Sequence, residues 1–125
     1  MSRQAPASPY GAYERVQAAG LSGRAAEAMA FVRVANDLES ACRPPVRRQN
    51  LDHALKRNQK LWTLVQIEVT SEGHHLAADI RRDLLDLSRF VDRQTAKALV
   101  SANPDDVRSL IEIDREVAAG LMAKA

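Results

Sequence analysis

Apolar residues return at helical spacing along nearly the whole of this 125-residue chain. No stretch bounded by turn residues shows the period-2 alternation of a half-buried strand, and strong helix formers dominate. Proline and glycine then mark where helices should stop. Pro6 and Pro9 fall in the leader, Gly20 and Gly23 before the first long helix, and Pro44-Pro45 after it. Gly73 lies mid-chain and Pro104 near the end. The pattern predicts an all-α fold: a small antiparallel bundle of about four helices behind a loosely ordered N-terminal leader. No internal repeat is visible.

The expected boundaries follow from these breaks. Residues 1–21 form the leader, in which Ser8 can cap a short helix with Pro9 at its first position, and residues 22–125 form one helical domain. The first long helix is expected from Ser22 to Cys42, with Ala28, Phe31, Ala35, Leu38 and Cys42 as its apolar stripe. Proline lacks an N–H and clashes with the preceding turn, so Pro44-Pro45 ends it. The second helix runs from about Val46 to Thr70. Leu51, Ala54, Leu55, Asn58, Leu61, Trp62, Val65 and Val69 share one side, and Lys56, Arg57 and Lys60 the other. The third runs from about His74 to Val100 on a stripe of Leu76, Ile80, Leu84, Leu87 and Val91. The last opens with Asn103 as cap and Pro104 at its first position. Asp105 and Asp106 follow at the positive end of the helix dipole, and Val107, Leu110, Ile111, Val117, Ala118 and Leu121 supply the core face.

Composition excludes several functions. Hydrophobic residues at 46% and charged residues at 27% suit one soluble domain with a core of its own. The net charge of +2 does not mark a dedicated nucleic-acid binder, and an aromatic share of 4% is too small for a base-stacking platform. A single cysteine, Cys42, permits no internal disulfide and no cysteine-based zinc site. No apolar run approaches the roughly 20 residues that span a bilayer, and the N-terminus has no signal-peptide core, so a cytoplasmic location with no membrane partner is expected.

Catalytic and cofactor motifs are missing from the sequence. Gly20 and Gly23 lack the Lys-Ser/Thr that completes a phosphate loop. His74 and His75 are adjacent and would point about 100° apart on a helix, so they suit a polar helix start better than a metal. Asp83 and Asp86 are ordinary helix-surface acids, and no Ser or Cys stands beside a recognisable base. No catalytic, cofactor or metal residue is assigned, and an enzyme is not expected.

Three sets of residues remain as candidates. Arg47, Arg48, Lys56, Arg57 and Lys60 could grip RNA phosphates or simply solvate a helix face. Asn58 and Asp114 each fall inside an apolar stripe and need a polar partner; a contact between them would satisfy both and fix helix register. Leu61, Trp62, Leu64 and Ile67 are candidates for partner binding. Trp62 sits in the core stripe, where packing competes with an interface role. Leu64 and Ile67 project onto the nominally polar face, so the second helix is either central in the bundle or covered by a partner.

Several segments also resemble the FlaF family of small flagellar biosynthesis regulators of alphaproteobacterial type. Ala12-Tyr13-Glu14-Arg15-Val16-Gln17 is similar to its early Ala-Tyr-x-x-Val-Gln segment. Arg24, Glu27, Val34 and Leu38 sit where its first long helix carries Arg, Glu and apolar residues. Asn58-Gln59-Lys60-Leu61-Trp62 matches its Asn-x-x-Leu-Trp core. Leu110-Ile111-Glu112-Ile113-Asp114-Arg115 and Gly120-Leu121 match its terminal pattern. Gly23, Ala28 and Asp114 depart from the usual residues. The resemblance implies a cytoplasmic, non-enzymatic helical protein that supports flagellin synthesis or secretion. It implies flagellin as a partner, captured as by an export chaperone, and joint action with a FlbT-type regulator of flagellin messenger RNA. Direct RNA contact, or an adaptor role toward the FlbT-type protein alone, are the rival expectations.

Overall fold

A computed structural model describes the backbone of residues 9–71 and 77–123, and the side chains of residues 25–71 and 77–123. Four α-helices account for most of it: α1 (Pro9–Ala41), α2 (Arg48–Thr70), α3 (Ala78–Ser101) and α4 (Arg108–Ala123). A 3-10 turn over Pro104–Asp106 precedes α4. No strand occurs among the described residues.

The first helix departs from the expected boundary. It begins at Pro9 and continues unbroken through Gly11, Gly20 and Gly23, so there is no break before Ser22. A glycine inside a helix costs only about 1 kcal/mol relative to alanine, which flanking helix formers such as Ala18, Ala19, Ala25 and Ala26 offset. Pro9, by contrast, fits the first position, where no N–H is needed. The part of the leader before Pro9 lies outside the described residues, as do Gly73, His74, His75 and Leu76. Downstream, α1 ends where the prolines require it, and the Pro44-Pro45 peptide bond is cis.

The start of α2 falls close to expectation, whereas α3 begins at Ala78, after a non-helical Ala77, and not at about His74, and the last helix changes type at its start. Asn103 accepts a hydrogen bond from the backbone N–H of Asp105 at 3.0 Å, but the turn it caps is the short 3-10 segment, and α4 proper starts at Arg108. At its other end α3 closes on Ala102, a non-glycine residue in the left-handed region with φ of 53°. Arg48 reaches across from the start of α2 and donates through Nη2 to the carbonyls of Leu99 at 2.6 Å and Val100 at 3.3 Å. It thereby satisfies carbonyls that a helix C-terminus leaves without a partner.

One hydrophobic cluster joins the elements. α1 packs against α4 and α2, and α2 packs against α3. Phe31, Leu38, Leu51, Leu55, Trp62, Val91, Val107 and Leu110 are among its buried members. The rings of Phe31 and Trp62 meet edge to face, with centroids 5.4 Å apart and planes at 70°, the geometry preferred by aromatic quadrupoles. On the surface, Arg115 of α4 ties to Glu39 of α1 at 3.0 Å and holds the Glu39 carboxyl below its ordinary range.

Candidate functional site

The polar centre of the core is built by α2 and α4. Asn58 and Trp62 are one turn apart on α2, so their side chains rise from the same face, and Asp114 meets them from α4. All three are fully buried. Trp62 Nε1 donates to Asp114 Oδ1 at 2.9 Å. The amide orientation that satisfies the network turns the Asn58 nitrogen toward the carboxylate, donating to Oδ2 at 2.6 Å and Oδ1 at 3.3 Å. The structure thus brings Asn58 and Asp114 together.

The carboxyl pays for its position electrostatically. Burial pushes Asp114 up to about 7, against the opposing pull of the Trp62 N–H. The Asn58 N–H also favours the ionised form, because it donates to the charged oxygen. The indole donor escapes a reading of the apolar stripe alone. Its signal was nonetheless present, because a buried Trp N–H needs a partner and Asp114 is the acid on the facing stripe.

The four partner-binding candidates divide into two pairs. Trp62 is enclosed in the core, and Leu61 packs against the core's edge, so neither belongs to an open partner face. Trp62 meets Phe31 of α1 and Asp114 of α4. Leu64 and Ile67 lie opposite Trp62 on α2 and remain 54% and 59% exposed. Ile67 also rims a shallow groove of about 390 Å³ between α2 and α3, lined further by Gln66, Thr70, Leu85, Ser88, Arg89 and Asp92. Gln66 spans the groove's floor to Asp92 at 3.1 Å.

The cation set divides as well. Arg48 is committed to the end of α3, and Arg57 forms an ion pair with Asp37 of α1 at 3.4 Å. Arg47, Lys56 and Lys60 are exposed. A phosphate grip using all five cations would have to break two intramolecular contacts. Among the described residues, no group of three or more His, Cys, Asp or Glu side chains is placed to hold a metal ion. No helix among them is long and apolar enough to cross a membrane. Cys42 is half-buried, and burial raises its thiol despite the nearby Arg108.

Over the described residues these features define a class: a small helical protein with a polar clamp at its centre and an exposed apolar pair on one helix. The family model described as "Flagellar protein FlaF" matches residues 10–121, nearly the whole chain. The chain belongs to the FlaF family and is a flagellar protein. No curated protein and no solved structure matches it.

Proposed function

We propose that this FlaF-family protein is a non-enzymatic cytoplasmic regulator that supports flagellin synthesis or secretion by binding flagellin before export, acting with a FlbT-type regulator. The exposure of Leu64 and Ile67 supports this reading most directly. Two large apolar side chains, one turn apart on a helix whose opposite face already fills the core, offer a partner's amphipathic helix a place to bury its own apolar stripe. Unpolymerised flagellin needs cover of that kind for its assembly helices. Regulation then follows from how much flagellin is held.

A pull-down with flagellin, with and without the FlbT-type protein, tests the reading at two salt concentrations. Flagellin should co-purify without the FlbT-type protein and stay bound at moderate salt. Capture only when that protein is present would make the chain an adaptor. Capture of flagellin messenger RNA that collapses steeply with salt would make it an RNA-contacting regulator instead, because phosphate contacts dominate such complexes.

A further inference from the structure

The outward face of α2 carries charge as well as apolar surface. Lys56, Lys60, Leu64 and Ile67 are all exposed and follow one another at i, i+4, i+8 and i+11. At ~100° per residue they fall within an arc of about 80°. That arc lies opposite the buried stripe of Leu51, Ala54, Leu55, Asn58, Trp62, Val65 and Val69. Over about 16 Å of helix, at 1.5 Å per residue, a cationic half gives way to an apolar half. Arg57 is drawn off this line by its ion pair with Asp37.

We propose that this stripe is a single docking surface for one amphipathic helix that carries carboxylates one to two turns from its apolar anchors. The apolar anchors seat on Leu64 and Ile67 beside the groove that reaches Leu85. The carboxylates lie over Lys60 and Lys56. Two exposed ammonium groups in line with an apolar pair match that distribution, and reversing the partner helix would place its acids over apolar side chains. The charged half steers and sets direction, while the apolar half holds. The cations are thus the orienting half of a protein-binding face, and an RNA grip is the losing alternative. The identity of the partner rests on the flagellin reading; the chemistry of the stripe does not.

Binding should be measured by fluorescence anisotropy with the full chain and four probes: monomeric flagellin, a labelled Leu/Glu amphipathic helical peptide, the same peptide with Lys replacing Glu, and an RNA oligonucleotide. The K56E/K60E variant should bind flagellin and the acidic peptide at least about tenfold more weakly at low salt, with the gap narrowing at high salt. It should also gain affinity for the lysine peptide. The L64S/I67S variant should lose the acidic peptide at both salts. Circular dichroism melts should stay unchanged, since all four side chains are exposed. If flagellin binds but K56E/K60E binds it as tightly as the parent, the stripe is overturned and flagellin capture stands. If flagellin fails to bind while the acidic peptide shows the charge swap, the stripe stands and flagellin capture falls. Preference of the parent for the lysine peptide, or loss of an RNA oligonucleotide in K56E/K60E with no loss of the acidic peptide, overturns the stripe.

Discussion

Trp62 and Asp114 are joined by a buried 2.9 Å hydrogen bond between the only indole of the chain and a carboxylate pushed up to about 7. The folded carboxyl therefore holds its proton to higher pH than the unfolded one, whose ordinary value is 3.8. Its contribution to stability is complete below that lower value and is lost as pH rises through about 7. At ~1.36 kcal/mol per unit, the loss between pH 5 and pH 8 is at most about 2–3 kcal/mol, because the Asn58 donor favours the ionised form. Asp114→Asn keeps an acceptor for the indole and lets the Asn58 amide rotate to meet it. Urea unfolding should find the stability of D114N relative to the parent higher at pH 8 than at pH 5 by that margin. Equal pH slopes in the two proteins would refute a titrating buried carboxyl.

Asn58 matters as a donor to that carboxyl. Asn58→Leu removes the donor and leaves the charge with the indole alone, a loss of about 1–3 kcal/mol at pH 8. The double variant N58L/D114N removes the charge that Asn58 served while keeping an acceptor for the Trp62 N–H, so it should recover part of that loss at pH 8. Additive effects in the double-mutant cycle would mean that the two residues act separately.

The stripes of α1 and α2 were legible because burial there follows angular position, whereas on α3 the buried line runs through Ser88, Val91, Thr95 and Ala98, and the expected Ile80, Leu84 and Leu87 are only partly buried. Ala28, Phe31, Ala35 and Leu38 on α1, and Leu51 through Val69 on α2, lie buried along lines that the 3.6-residue period defines. Asn58 and Asp114 stood out for the same reason, each being a polar letter in an apolar line. The run of α1 through Gly20 and Gly23 was not legible, since glycine lowers helix stability without forbidding the helix. Nor was the work of Arg48 at the end of α3, a contact between residues 51 apart that only the tertiary fold creates. For Leu64 and Ile67 the sequence left two outcomes open, and the angle of α2 against its neighbours decides for exposure.

Thr95 has no exposed surface, and its Oγ1 has no hydrogen-bond partner. A buried hydroxyl without a partner carries its desolvation cost uncompensated. Thr95→Val keeps the branched shape and removes that oxygen, so it should raise stability by about 1 kcal/mol. Thermal and urea unfolding at one pH would show a higher midpoint with an unchanged denaturant slope.

Gly120 lies on the exposed side of α4, and nothing stands within 4 Å of where a Cβ would be. Gly120→Ala therefore adds a methyl without a clash and removes the entropy that glycine loses on entering a helix. The gain should be about 0.5–1 kcal/mol. A loss of stability would show that α4 needs a backbone conformation closed to alanine at this point.

Leu61 and Leu64 lie three residues apart on α2 in different surroundings, one packed against the core and the other 54% exposed. An aspartate at each position separates the cost of burial from that of partner loss. Leu61→Asp places a carboxylate at the edge of the packed cluster and should destabilise the domain by several kcal/mol, on the order of 3. Leu64→Asp, alone or with Ile67→Asp, exchanges one solvated side chain for another and should move stability by no more than about 0.5 kcal/mol per site. Circular dichroism melts of the three variants, followed by flagellin pull-down of those that stay folded, give the comparison. The expected result is a low melting temperature for L61D, and a parental melt with lost flagellin capture for L64D/I67D. Retained capture by a folded L64D/I67D would remove this face from the binding surface.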